Sequence, residues 1–315
     1  PNFFGLDKDI RDELNRQGNS TVLFNEKAQT GIRFLDAILE KLPSRLYTFL
    51  LHHHLRRIAK YSLIADRIVL IRIEKWFAKD IVNIIGSNKN STVYQWDSSR
   101  NLPLMKSQFV EDVRYFTFDP NDAEKLDLHY KPLFIPVDYS SIPIAIECKN
   151  KFKLCFIGSH YSDRAEVVKK IMAFNCLREE NFFVYMYRPL GSYLYSKFSI
   201  KNLHQVSLKD IKLFPLNRKH TIAAMRCAQA IVDISEYDQA GLSLRVLEAI
   251  GLRKKLITTN RWVVNSDLYH PNNIHIIDRE APIIDNSFFD LPYITYDESI
   301  YARYSLSAWV KHLIQ

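Results

Sequence analysis

Short apolar runs recur along this chain, and nearly every one is followed by a stretch with helical period. RIVLIRI (67–73), TVYQW (92–96), KLCFI (153–157), FFVYMY (182–187) and AIVDI (230–234) are the clearest. A strand that is apolar on successive residues has to be covered on both faces. Strands of that kind, alternating with helices, specify parallel sheets with helices packed on either side.

The rhythm occurs twice. In the first set, helices are expected over 7–17, 31–62 with a break at Pro43, 76–85 and 103–112, with strands at 21–24, 67–73, 92–96 and 115–118. Asp119 precedes a further helix and is its candidate cap. Residues 131–150 hold three prolines and a serine pair, which read as a link. The second set has strands at 153–157, 182–187, 230–234, 255–258 and 274–277, and helices at 162–177, 218–228 and 243–252. A last amphipathic helix is expected over 299–312. The expectation is therefore two Rossmann-like α/β domains with a cleft between them. They span 1–140 and 151–297, and a helix within 298–315 packs back on the first domain. At 315 residues the chain has room for two cores of ~150 residues each. Ligands are expected at the C-terminal ends of the strands, facing the cleft.

A net charge of +8 favours anionic partners. Cys148, Cys155, Cys176 and Cys227 form no CxxC pair, so a zinc site is not expected, and they read as buried, reduced thiols of a cytoplasmic protein. No signal peptide and no apolar run of 18 residues is found, so no spanning helix is expected. The chain opens on PNFFG with no initiator Met. Either a short first strand precedes it, or the numbering starts inside the gene product.

The chemistry concentrates in GLSLRVLEAIGLRKKLITTN (241–260). Strand 230–234 leads through a loop into a helix starting near Ser243. A strand–loop–helix turn in a parallel sheet presents backbone N–H groups and a positive helix end, which together suit an anion. Gly241 allows close backbone approach and Ser243 can cap. Glu248 lies a turn into the helix. It suits the paired hydroxyls of a ribose, or it pairs with Arg245 or Arg253 on the surface.

Leu-Glu-Ala-Ile-Gly (247–251) followed by Lys-Lys-Leu-Ile-Thr-Thr-Asn (254–260) resembles the donor-binding half of GT-B glycosyltransferases. The likeness is to bacterial lipopolysaccharide, O-antigen and capsule enzymes of the spore-maturation type. Phe3-Phe-Gly5, Tyr94–Ser98, Phe116–Asp119 and Phe156-Ile-Gly158 agree with it. The resemblance implies GT-B architecture, a nucleoside diphosphate sugar as donor, no cofactor and no dedicated metal. It gives Glu248 the ribose and turns the backbone of Gly241, Leu242, Ser243 and Arg245 toward the diphosphate. A second glutamate eight positions earlier holds the sugar in many such enzymes. Here that position is Ala240, and Gln239, Asp238 or Glu236 would have to substitute.

Arg188 directly follows strand 182–187, and Arg164 lies near the start of the helix after Gly158, so either could clamp a phosphate. Their alternative is a solvated face. For an inverting transferase the acceptor side needs a general base in the first domain. Asp97, after strand 92–96, is the first choice and Glu74, after strand 67–73, the second; helix capping is the alternative for each. Asp7-Lys8-Asp9 matches D-x-D formally. At i, i+2 on a helix start those side chains diverge, so they read as N-terminal charges and not as metal ligands.

Residues 41–65 (KLPSRLYTFLLHHHLRRIAKYSLIA) hold five Lys or Arg residues, three histidines and no acid. Leu46, Phe49, Leu50 and Leu55 are taken as an apolar side that could rest on the inner membrane. The alternative is a core helix with a basic outer face. His52-His53-His54 is weak as a metal site, because neighbours in sequence do not share a helix face. The leading expectation is a cytoplasmic, peripheral glycosyltransferase acting on a glycan or lipid-linked acceptor. A sugar-nucleotide epimerase and a non-catalytic binding module are the alternatives. Nucleic-acid binding is not expected, since no motif or basic-aromatic platform supports it.

Overall fold

The computed structural model describes residues 5–28, 44–73, 76, 78–86, 88, 90–100, 109–110, 113–136, 139, 151–189, 193 and 211–315. The expected helix 103–112 and the first part of 31–62 fall mostly or wholly outside them. Two compact units emerge: Pro1–Phe134 with Tyr304–Gln315, and Ile135–Arg303.

Unit 1 begins with α1 (Leu6–Arg16) and α2 (Ser44–Ser62). Strands β1 (Ile68–Ile71), β2 (Ser91–Gln95), β3 (Arg114–Thr117) and β4 (His129–Tyr130) form one sheet in sequential order. All its pairings are parallel. Between the strands lie α3 (Ala78–Ile85) and α4 (Pro120–Leu126). Adjacent strand residues point to opposite faces, and Val93 and Tyr94 show it. Val93 joins Leu51, Leu55 and Ile58 of α2 and Ile81, Ile84 and Ile85 of α3 in one core cluster. Tyr94 meets Trp309 edge-on, with ring centroids 4.8 Å apart, and Phe134 packs on the same indole at 4.6 Å.

Trp309 belongs to α10 (Leu306–Ile314), preceded by α9 (Glu298–Arg303). The single helix expected over 299–312 is thus two. Ser305 is extended (φ −66°, ψ 150°) and its hydroxyl caps α10 by accepting from Ala308 N. A cap residue outside the helical region ends one helix as it starts the next. The helix α10 is tied to unit 1 by Thr92 Oγ1 donating to Leu313 O at 3.0 Å and Gln17 Nε2 donating to Ser307 O at 3.0 Å. Thr21–Phe24, expected as a strand, pairs with nothing in the sheet and is irregular. Asp119 caps α4, accepting from Asn121 N at 3.0 Å, with Pro120 at the first helical position.

Unit 2 holds β5 (Phe152–Ser159), β6 (Phe182–Tyr187), β7 (Ala228–Asp233), β8 (Lys255–Thr258) and β9 (Ile274–Ile276). The sheet order is β6-β5-β7-β8-β9, with every pair parallel. The chain steps outward in both directions from the β5–β7 boundary, so that boundary is the topological switch point. Helix α5 (Arg164–Phe174) brings Val167, Val168 and Ile171 to a core with Leu154, Phe156, Ala230 and Val232. Then follow α6 (Arg218–Arg226) and α7 (Leu244–Gly251), with the short α8 (Ser287–Asp290) after the sheet. Lys255 is a strand residue buried to 8% exposure, and its ammonium donates to the carbonyls of Phe288, Phe289 and Leu291. It holds the end of α8 and does no site chemistry. Cys227 is disulfide-bonded, which corrects the reading of four reduced thiols; Cys155 and Cys176 are free.

Candidate functional site

The C-terminal edge of the unit 2 sheet is ordered by a few buried polar side chains. Asp233 ends β7 and is 5% exposed. Its Oδ1 accepts from Ser243 Oγ at 2.7 Å and its Oδ2 from Thr258 Oγ1 at 2.8 Å. One carboxylate therefore ties two strand ends to the start of α7. Ser243 Oγ also accepts from Val246 N, the cap expected of it. The Gly241 carbonyl accepts from Gln239 Nε2 at 2.8 Å and Asn260 Nδ2 at 3.1 Å. Gln239 thus spends its amide on the loop itself. Leu242 is buried at 3% exposure, and Gly241 before it is buried too. Ala240 is also buried, and the loop turns Tyr237 and Asp238 outward instead.

Glu248 lies inside this frame, with its side chain 15% exposed. Arg245 Nη1 donates to Glu248 Oε2 at 2.5 Å. The same guanidinium donates from Nη2 to Ile157 O at 2.8 Å, and Nη1 approaches Met225 Sδ at 2.9 Å. So Arg245 turns inward, away from the open end of the turn. Burial raises the Glu248 carboxyl above its ordinary value, and the Arg245 and Arg218 charges only partly oppose this. Burial also pushes the Cys155 thiol up to about 12, so it is inert. Tyr139 is raised by burial first and by the Glu248 charge second. A Cβ on Gly251 would meet Ile135 Cγ2 at 2.6 Å and Tyr139 Cδ2 at 2.7 Å. That close approach is why the helix ends on glycine.

Arg164 bridges the switch point. Its Nε donates to Ile234 O at 3.1 Å, its Nη1 to Ser159 Oγ at 2.9 Å, and its Nη2 pairs with Glu236 at 3.1 Å. At 20% side-chain exposure it is neither solvated nor idle. Sequence reasoning missed its neighbour Arg279, which grips Asp163 through Nε at 2.7 Å and Nη2 at 2.9 Å. Arg279 Nη2 also donates to Ser235 O at 2.7 Å, and its guanidinium lies 4.2 Å from the Tyr237 ring centre. The hydrogen bond from Arg279 lowers Asp163 to about 2. No local pattern links positions 163, 237 and 279; only the topology brings them together.

Arg188 differs. Its backbone N–H donates to Lys212 O at 2.9 Å, but its Nε is buried with no hydrogen-bond partner among the described residues. It follows β6 directly, at the same sheet edge. Gly158 is the penultimate residue of β5, paired in register with Met186. A shallow depression beside Lys151, Gln229 and Asn286 lies at the opposite, N-terminal edge of the sheet, away from this chemistry.

In unit 1, Asp97 follows β2 and its carboxylate accepts from Arg72 Nε. Arg72 follows β1 at φ 52°, left-handed for a non-glycine residue. Such a backbone costs of order 1 kcal/mol and persists only where its surroundings impose it. The pair joins two adjacent strand ends. Glu74 lies outside the described residues. Asp7 and Asp9 sit in the first turn of α1. Among the described residues no group of three or more His, Cys, Asp or Glu is placed to hold a metal ion.

No protein-family description and no curated protein matches the chain. Among solved structures it is similar to AviGT4, a glycosyltransferase involved in avilamycin A biosynthesis: 9% identity, 76% of each chain and a TM-score of 0.45. It is also similar to a protein assigned as a UDP-N-acetylglucosamine 2-epimerase from Listeria monocytogenes, at 11% identity, 79% of this chain, 75% of that one and a TM-score of 0.41. The glycosyltransferase SnogD from Streptomyces nogalater matches at 10% identity, 99% of this chain, 90% of that one and a TM-score of 0.39. Scores this low carry no weight for chemistry.

Proposed function

We propose that this chain is a nucleotide-sugar-dependent glycosyltransferase of the GT-B type. The observation that carries the reading is Glu248. It is a carboxylate kept inside unit 2, just beyond the start of a helix that follows the C-terminal end of β7. In this reading it accepts hydrogen bonds from the ribose hydroxyls. The N–H groups at Gly241–Arg245 receive the diphosphate, and Arg188 supplies a cation there. The acceptor hydroxyl attacks the anomeric carbon. The new C–O bond forms as the bond to the diphosphate breaks, and Asp97 takes the hydroxyl proton. The leaving diphosphate keeps the electron pair, offset by the helix end and Arg188.

The acceptor is a glycan hydroxyl, on a lipid carrier or a lipid A core. Action on such an acceptor puts the protein on the cytoplasmic side of the inner membrane and its product in a bacterial surface glycan. Thermal-shift measurement against a panel of nucleoside diphosphates and their sugars tests the donor half. A rise in Tm with one nucleoside diphosphate, lost in Glu248→Ala, is expected. Unchanged nucleotide affinity in that variant would remove Glu248 from the site. Turnover of a nucleotide sugar without any acceptor would move the reading to an epimerase. No response to the whole panel would favour a non-catalytic binding module.

A further inference from the structure

We propose that the outer face of α2 and the turn after it form a docking surface for an anionic phospholipid membrane. The expected apolar side of this helix does not exist as one face. Leu51, Leu55, Ile58 and Ser62 stand at i, i+4, i+7 and i+11 and are all buried in unit 1. Phe49, His53, Arg56 and Lys60 have the same spacing on the opposite side, and all four are exposed. His52 and Arg57 flank them and are exposed too. Phe49 keeps 71% of its surface open to water.

The helix then ends in an apolar tip. Leu63 is 75% and Ile64 80% exposed. Turn tips are ordinarily small or polar, so two adjacent aliphatics here need a reason. Fraying is not that reason, because the turn is pinned on both sides. Ile64 N donates to Tyr61 O at 3.2 Å, and Asn88 Nδ2 donates to Ala65 O at 2.7 Å. The irregular segment at 21–25 adds to the tip. Phe24 packs on Tyr61 with centroids 5.1 Å apart, and its neighbours Val22 and Leu23 are 61% and 42% exposed.

Charge identifies the occupant. Residues 43–65 contain no Asp or Glu, so every ionised side chain that α2 and the tip through Ala65 contribute is a cation; the exposed Asp66 follows directly after them. Aliphatic tips that enter the acyl boundary, rimmed by Arg and Lys at headgroup level, fit anionic lipid. The face lies on a membrane and does not cross it, since no helix among the described residues is long and apolar enough to span one. A nucleic acid would be met by stacking rings between the cations, whereas the tip here is aliphatic. The surface belongs to unit 1 alone and does not depend on the donor site.

Co-sedimentation of the whole chain with phosphatidylcholine vesicles, with and without phosphatidylglycerol, tests it. Binding is expected only to vesicles containing phosphatidylglycerol, and it should weaken as salt rises. The triple variant Arg56→Glu/Arg57→Glu/Lys60→Glu should lower the partition coefficient at least tenfold. Leu63→Ser/Ile64→Ser should lower it severalfold, and both should keep the parent Tm because these side chains are exposed. Equal binding to both vesicle types, no binding to either, or no effect of the variants would overturn the proposal. So would a finding that the triple variant loses RNA retention but keeps the vesicles, or that Leu63→Ser/Ile64→Ser turns a dimer into a monomer. A chain that binds vesicles but no nucleotide would leave the membrane face standing and sink the glycosyltransferase reading.

Discussion

Each unit sets a carboxylate against an arginine near the C-terminal ends of its strands, but the two pairs are built differently. Arg72 and Asp97 follow neighbouring strands and are 23% and 30% exposed. Arg245 and Glu248 share one helix at i, i+3 and are 19% and 15% exposed. The first pair joins two loops and stays in touch with water. The second is desolvated enough that burial outweighs its guanidinium and the carboxyl is raised. A carboxylate held under that penalty is one whose ionised form is improved by hydroxyl donors arriving from outside. The same side-chain pair thus leaves one carboxylate partly solvated and the other desolvated.

The sharpest way to break this contrast is Asp97→Asn. If Asp97 is the base, kcat of the transferase falls at least ~100-fold while nucleotide affinity is unchanged. A loss of nucleotide affinity of similar size would erase the division of roles. Next is Gly251→Ala. Its methyl would press on Tyr139 and Ile135, and a loss of roughly 2 kcal/mol by denaturant titration is expected. An unaltered midpoint would show that the wall beside Glu248 gives way freely.

Glu248→Gln separates holding from folding. A carboxyl whose pKa is higher in the folded state binds its proton more tightly there than in the unfolded chain. Its ionised form therefore subtracts stability above the ordinary value of 4.5, and the loss is relieved as pH falls into that range. Nucleotide affinity should drop about tenfold, ~1.4 kcal/mol, with Tm at pH 7 unchanged or higher. A clear fall in Tm would make the Arg245 pair a structural strut. The smallest effect belongs to Arg279→Ala. Asp163 has the opposite sign, lowered to about 2, so its stabilisation is present above the ordinary value of 3.8 and fades as pH falls toward 2. The variant should be less stable by roughly 1 kcal/mol at pH 7, and the gap should close on acidification. A gap that persists at low pH would assign the effect to the stacked Tyr237 ring instead.

Strands β1–β3 and β5–β9, helices α5–α7 and the cap at Ser243 were legible because each rests on local period or local hydrogen bonding, whereas β4 and α8 are too short to show either. FFVYMY became β6 over the residues expected. What was not legible is tertiary. Thr21–Phe24 has a strand's composition but pairs with no strand among the described residues. Leu55 and Phe49 look alike in sequence, yet only packing decides that one faces the core and the other water. Arg164, expected as a phosphate clamp or a solvated residue, is held by groups up to 72 positions away, a distance no motif encodes. Arg279 carried no sequence signal, since its partner Asp163 is 116 residues distant.

The tie between Thr92 and Leu313 spans 221 residues. Synthesis runs from the N-terminus, so all of unit 2 is made before residues 304–315 can cover the Tyr94 face of the first sheet. The second unit is then the first with every part in hand, and the first waits with an indole-sized vacancy. Residues 304–315 therefore join unit 1 only after the whole of unit 2 has been made. A chain interrupted at Arg303 would leave Tyr94 and Phe134 without the Trp309 indole that packs on both.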